Sequence, residues 1–139
     1  MENNSNSKIL NVTLWAAQVI LACMFIIAGY MKTTTPIAQL SASLPWTGEI
    51  PAWLVRFIGA SELLGALGLL LPSLLRIKPI LTPLAASGII CIMLMASIFH
   101  LVKNEFPLVA FTLLLGLVAA FIAWGRFTKV PVGIKNKPE

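Results

Sequence analysis

The chain has 139 residues, 58% of them hydrophobic and only 11% charged, with a mean hydropathy of +0.91 and a formal net charge of +5. A water-soluble domain carries roughly twice that share of charge, so composition points to one compact, small integral membrane protein. The positive excess does not indicate nucleic acid, because the basic residues flank apolar runs instead of forming a patch.

Residues 1–8 form a polar N-terminal tail, and the first span covers about 9–30, enough to cross roughly 30 Å of hydrocarbon. Ile20-Leu21-Ala22-Cys23 loosely resembles a lipoprotein cleavage site. The apolar run continues through Met24 to Ile27, where a mature lipoprotein turns polar, so an uncleaved span is expected. Asn11, Gln18, Ala22, Phe25, Gly29 and Lys32 share one arc of this helix. Residues 33–51 form the longest connection, broken by Pro36, Pro45 and Pro51. A short interfacial helix is expected at Ile37–Leu44, with Trp46 and Trp53 at headgroup level.

The second span, about 52–71, ends at Pro72 and carries Glu62 near its middle. Carboxylates are rare at that depth, because desolvating the charge costs several kcal/mol unless it is paired. Gly59, Ser61, Gly65, Ala66 and Gly68 spread over the same side of the helix as Glu62, while Phe57, Leu63, Leu64 and Leu67 lie opposite. Small residues allow close helix approach in lipid, so Gly59, Ser61 and Gly65, with Gly29 of the first span, are the expected packing positions, and Glu62 is expected to face protein. Gln18 and Glu62 both fall near mid-depth, and a direct amide–carboxyl contact would satisfy both; the alternative partner for Gln18 is a backbone carbonyl or another helix. Arg56 lies about 120° round from Glu62, too far for an intrahelical pair, and is expected to snorkel to the interface or reach another helix.

The third span, about 80–101, has Pro83 in its first turn and places Thr82, Ala86, Ile89, Met93, Ala96, Ser97 and His100 on one arc. A tight hairpin over 102–105 leads to the fourth span, about 106–125, whose small face is Thr112, Gly116, Ala119 and Ala123. Residues 130–139 are a basic tail. The transmembrane domain is therefore 9–129, an all-α up-down bundle of four spans. Both termini then share one side with Lys8, Arg76, Lys78, Arg126, Lys129, Lys135 and Lys137, against Lys32 and Lys103 on the other, with Arg56 just inside the membrane. That bias predicts cytoplasmic termini, in a bacterial cytoplasmic (inner) membrane.

At the outer ends of the spans Lys32, Arg56, His100, Lys103 and Glu105 come to a similar level, above Glu62. Lys103 and Glu105 are expected to be ordinary helix-end charges. Glu62, Gln18, Lys32, Arg56 and His100 are the candidate ligand-binding or proton-carrying residues. Such a group can hold a polar head group, or a quinone ring given a hydrogen-bond donor at each end. No catalytic residue is identified. Cys23 and Cys91 form no CxxC and point away from the polar faces, and with a single histidine no metal site is expected.

Taken together, Phe25-Ile26-Ile27-Ala28-Gly29-Tyr30-Met31-Lys32, Arg56-Phe57-Ile58-Gly59-Ala60-Ser61-Glu62-Leu63-Leu64-Gly65, Leu71-Pro72 and Phe99-His100 resemble the DoxX-like family over about 9–129. The resemblance implies a four-helix membrane bundle associated with quinone-linked membrane oxidoreductases, and carries over to Lys32, Arg56, Gly59, Glu62 and His100. The bundle is also similar to that of quinone-using membrane thiol oxidases, but this chain lacks their cysteine pairs. No flavin, haem or iron–sulfur motif is present, so no intrinsic cofactor is expected and the chain does not read as an autonomous enzyme. The leading reading is an accessory subunit of a quinone-linked membrane redox system, with the lipid bilayer and a membrane oxidoreductase subunit or other membrane protein as partners. Homo-oligomerisation stays open. The alternatives are an assembly factor or scaffold for partner proteins, and a proton-coupled small-molecule carrier using Glu62.

Overall fold

Residues 2–134 are described by the structure, a computed structural model; Lys135 and Lys137 of the basic tail lie outside them. The elements are α1 (Glu2–Thr34), α2 (Ile37–Ser43), a 3-10 turn (Pro45–Gly48), α3 (Ala52–Leu75), α4 (Leu81–Val102), α5 (Phe106–Trp124) and a wider, π-type turn (Gly125–Lys129). Among the described residues there is no strand, and α1, α3, α4 and α5 are long and apolar enough to cross a membrane. The expected four-helix membrane bundle is what forms. α1 packs chiefly on α3 and α4 on α5, α3 against α4 joins the two pairs, and α1 touches α5 more lightly. The N-terminal end of α1 and the C-terminal end of α5 share one end of the bundle, and α2 with its 3-10 turn caps the other.

The helix boundaries differ from the expected spans for local reasons. α1 begins at Glu2, because the polar residues before Ile9 include no proline or glycine to stop a helix; its 33 residues rise about 50 Å, beyond the hydrocarbon thickness. It ends at Thr34, just before Pro36. Proline has no amide hydrogen to give the carbonyl four residues back, that of Lys32. Arg56 Nη1 donates to that carbonyl at 2.6 Å instead. Arg56 thus reaches another helix, where its charge also suits the negative end of the α1 dipole. α3 continues through Pro72 to Leu75, so the proline does not terminate it. Only one intrahelical bond, that to the Gly68 carbonyl, is lost. The tight connections use left-handed residues at Arg76 (φ 55°), Lys78 (φ 47°) and Asn104 (φ 60°), of which asparagine is the type that tolerates this best.

The core is built from the stripes read in the sequence. Leu21 and Phe25 of α1, Leu69 of α3, Ile89 and Met93 of α4 and Ile122 of α5 are buried together. Phe57, Leu64 and Leu67 face outward as expected. Leu63, expected beside them, is half-buried instead, because its side chain covers Gly29. Gly65 faces Ile89 of α4. At the α1–α3 crossing the backbones touch: a Cβ on Gly29 would lie 2.7 Å from the Gly59 carbonyl oxygen, and one on Gly59 would lie 2.7 Å from Lys32 Cβ.

Neither backbone nor a packed helix has room to give there. Gly29→Ala is therefore expected to lower unfolding stability by about 1–3 kcal/mol. Gly88→Ala, where an added Cβ meets nothing within 4 Å, is expected to be neutral or slightly stabilising. Unfolding of the two variants in a mild detergent checks the contrast.

Candidate functional site

Side chains on a helix lean toward its N-terminus. Lys32, near the C-terminal end of α1, therefore leans down into the bundle. Glu62 on the antiparallel α3 leans up toward the α2 end. The two meet: Lys32 Nζ donates to Glu62 Oε1 at 2.7 Å and Oε2 at 2.8 Å, with side-chain exposures of 9% and 5%. Of the partners open to Gln18, it meets a backbone carbonyl, that of Leu69, and not Glu62, because Gln18 leans the other way, toward the terminus end.

The pair lines a cavity of about 440 Å³ in the α2 half of the bundle. That is within the range of small-molecule sites, roughly 300–1,000 Å³. Phe25 and Met93, at the edge of the core, form its floor. Its walls are mostly apolar and come from all four long helices. Its roof is Trp46, expected in the headgroup layer but half-buried here. Lys32 Nζ lies 5.7 Å from the Trp46 ring centroid, and the rings of His100 and Phe99 stand edge-on to it at 6.3 Å each. A Glu49–Lys103 ion pair fastens the segment after the 3-10 turn to the α4–α5 connection.

His100 is buried and lines the cavity, and its Nδ1 is 2.7 Å from Glu105 Oε2. Glu105 and Lys103, expected as plain helix-end charges, are thus engaged with His100 and Glu49. Ser61 and Thr112 also line the cavity, but their hydroxyls are turned to backbone, Ser61 to the Phe57 carbonyl at 2.8 Å and Thr112 to the Leu108 carbonyl at 2.9 Å. The polar functions not turned to backbone are the Lys32–Glu62 pair, His100 and the indole N–H of Trp46. Arg56 stays behind Lys32 at the end of α1, and Cys23 and Cys91 are free thiols on the outer surface.

Gln18 belongs to a second polar knot at the terminus end. Its Nε2 donates to the Leu69 carbonyl at 2.7 Å, and its Oε1 accepts from Arg126 Nε at 2.6 Å. Arg126 Nη1 also donates to Asn11 Oδ1 at 2.7 Å and to the Val130 carbonyl at 3.0 Å, and the guanidinium lies 5.3 Å from the Trp15 ring. Arg126 is only 3% exposed. Counting it among the interfacial charges missed this role. The available signal was Asn11 and Gln18, seven residues apart on one helix face, with an arginine ending the last span at the same level.

Fold and site thus define a small integral membrane protein: a four-helix bundle filled at one end and hollow at the other, with a buried ion pair in the wall of the hollow. Its sequence over residues 16–122 matches the DoxX-like family, and the chain belongs to that family. No curated protein and no solved structure matches the chain.

The ion pair sets up a mutational asymmetry. Lys32→Met leaves a buried carboxylate alone and is expected to destabilise the bundle by about 3–5 kcal/mol. Replacing both partners, Lys32→Met with Glu62→Leu, is expected to recover most of that loss. Unfolding of the single and double variants measures the difference.

Proposed function

We propose that the protein is a ligand-holding accessory subunit of a membrane redox system, and that the cavity takes a ring-headed, chain-bearing lipid of the quinone class. The observation that carries this reading is the cavity itself: mostly apolar and aromatic walls, with ionisable groups only at Lys32–Glu62 on one pair of helices and His100 on the other. A ring with an oxygen at each end and an apolar tail matches that distribution. Lys32 and His100 supply the polar contacts, and Trp46, Phe99 and Phe57 supply flat apolar surface. When bound, such a ring would supply the electron and proton chemistry that no residue of this chain provides. The chain's own residues hold the ring, orient it and keep water from it.

Two edges of the cavity are exposed on the membrane-facing surface, Met24 and Phe111 between α1 and α5, and Phe57 and Met95 between α3 and α4. These edges give a membrane-dissolved ligand a lateral route. The excess of basic residues at the terminus end supports cytoplasmic termini, which would put the cavity in the outward half of a bacterial inner membrane. Both oxygens of Glu62 are held by Lys32, which favours a holding role over proton-coupled transport.

Ala96→Phe tests the reading by filling the cavity from α4 without replacing any of its polar groups. Gently extracted wild-type protein is expected to retain a quinone or similar ring lipid, detected by native mass spectrometry and solvent extraction, and Ala96→Phe to lose it while staying folded. A partner protein retained equally by both, with no ring lipid in either, would replace this reading with the scaffold.

A further inference from the structure

The polar groups lining the cavity differ in what they have left to offer. Ser61 and Thr112 direct their hydroxyls to backbone carbonyls, and Lys32, with two of its three N–H groups on Glu62, can only donate. His100 has only one ring nitrogen engaged, Nδ1 with Glu105 Oε2. An ionised carboxylate accepts hydrogen bonds and cannot donate, so Nδ1 carries the hydrogen. In the neutral imidazole that leaves Nε2 as an acceptor. The ring is held edge-on between Phe99, at 5.4 Å, and Trp46, at 6.3 Å. The other charges around it are already balanced: Lys103 by Glu49 in the connections, and Lys32 by Glu62 beyond Trp46.

We infer that His100 Nε2 is the hydrogen-bond acceptor of the cavity, that Glu105 is the positioning residue that keeps it one, and that the site therefore prefers a ring bearing a hydroxyl over the same ring bearing a carbonyl. The inference rests on the reading that the cavity holds a ring-headed lipid, and adds which form of the ring it selects. A hydroxyl facing Nε2 donates to it. A carbonyl oxygen there sets lone pair against lone pair and leaves two buried acceptors unsatisfied, which is worth roughly tenfold or more in affinity. A glutamine at position 105 both donates and accepts, so it no longer fixes the hydrogen on Nδ1.

The test uses full-length protein in lipid nanodiscs under anaerobic, mildly alkaline conditions. Three probes are compared: a decyl-tailed benzohydroquinone, the matching quinone, and the dimethyl ether of the hydroquinone. Wild type is expected to bind the hydroquinone roughly tenfold or more tightly than either of the others. Glu105→Gln, a near-isosteric change in a side chain 31% exposed, is expected to cut that preference several-fold, with quinone affinity rising as Nε2–H becomes available to a carbonyl oxygen. His100→Leu is expected to abolish the preference, with retained helical content showing that both variants fold. Equal affinity of wild type for the three probes, or a preference intact in both variants, overturns the assignment of His100 and Glu105 while leaving the cavity reading standing. Failure of wild type to bind any of the three overturns the cavity reading, and this inference with it.

Discussion

The bundle depends on a lysine and a glutamate that neither water nor lipid can satisfy where they sit. Each charge alone would carry a desolvation penalty of several kcal/mol, so neither is tolerable without the other. Their contact needs α1 and α3 in close apposition. Gly29, one turn before Lys32, and Gly59, one turn before Glu62, provide it where the two backbones touch. It also needs α1 to end soon after Lys32, which Pro36 ensures. The carbonyl that Pro36 orphans is taken by Arg56. Thus Gly29, Lys32 and Pro36 of one segment and Arg56, Gly59 and Glu62 of another act as one unit, and their short sequence spacings follow from two antiparallel helices meeting at one point.

The position of the cavity follows from where the two helix pairs are joined. At the terminus end, Arg126 of the turn that follows α5 bonds to Gln18 of α1, and Ser73 bonds to Thr82 across α3 and α4 at 2.8 Å. At the α2 end the side-chain bonds stay within a pair: Lys32 with Glu62, Ser97 with Thr112 at 2.7 Å, and His100 with Glu105. Among the described residues, only the Glu49–Lys103 ion pair and the Trp46 aromatic contacts bridge the pairs there. A bundle cross-linked at one end only can stand open at the other.

Periodicity made most of this fold legible. The polar and small residues of α1 lie where the wheel put them, and Thr82, Ala86, Ile89, Met93, Ser97 and His100 of α4 are all buried. Glu62 faces protein, as its small-residue surroundings required. Its partner was not legible, because depth counted from helix ends ignores the lean of the side chains. Gln18 and Glu62 start near the same level and diverge, whereas Lys32 and Glu62 start apart and converge. Arg126 was obscured differently: charge counting treats every basic residue near a helix end as interfacial, and only tertiary packing brings Asn11 and Gln18 to it. The roof at Trp46 depends on a seventeen-residue connection, 35–51, folding back over the bundle, which the helical periodicity of the spans does not reveal.

On the proposed reading, a hollow roofed on its polar side and edged by lipid-facing side chains would exchange its ligand with a two-dimensional solvent. Its filling is then governed by the mole fraction of the ligand among the surrounding lipids, with its concentration in water of little consequence. Adding detergent enlarges that solvent many times over without changing the site. The same intrinsic affinity would leave the bundle occupied in a native bilayer and empty in a large excess of micelles.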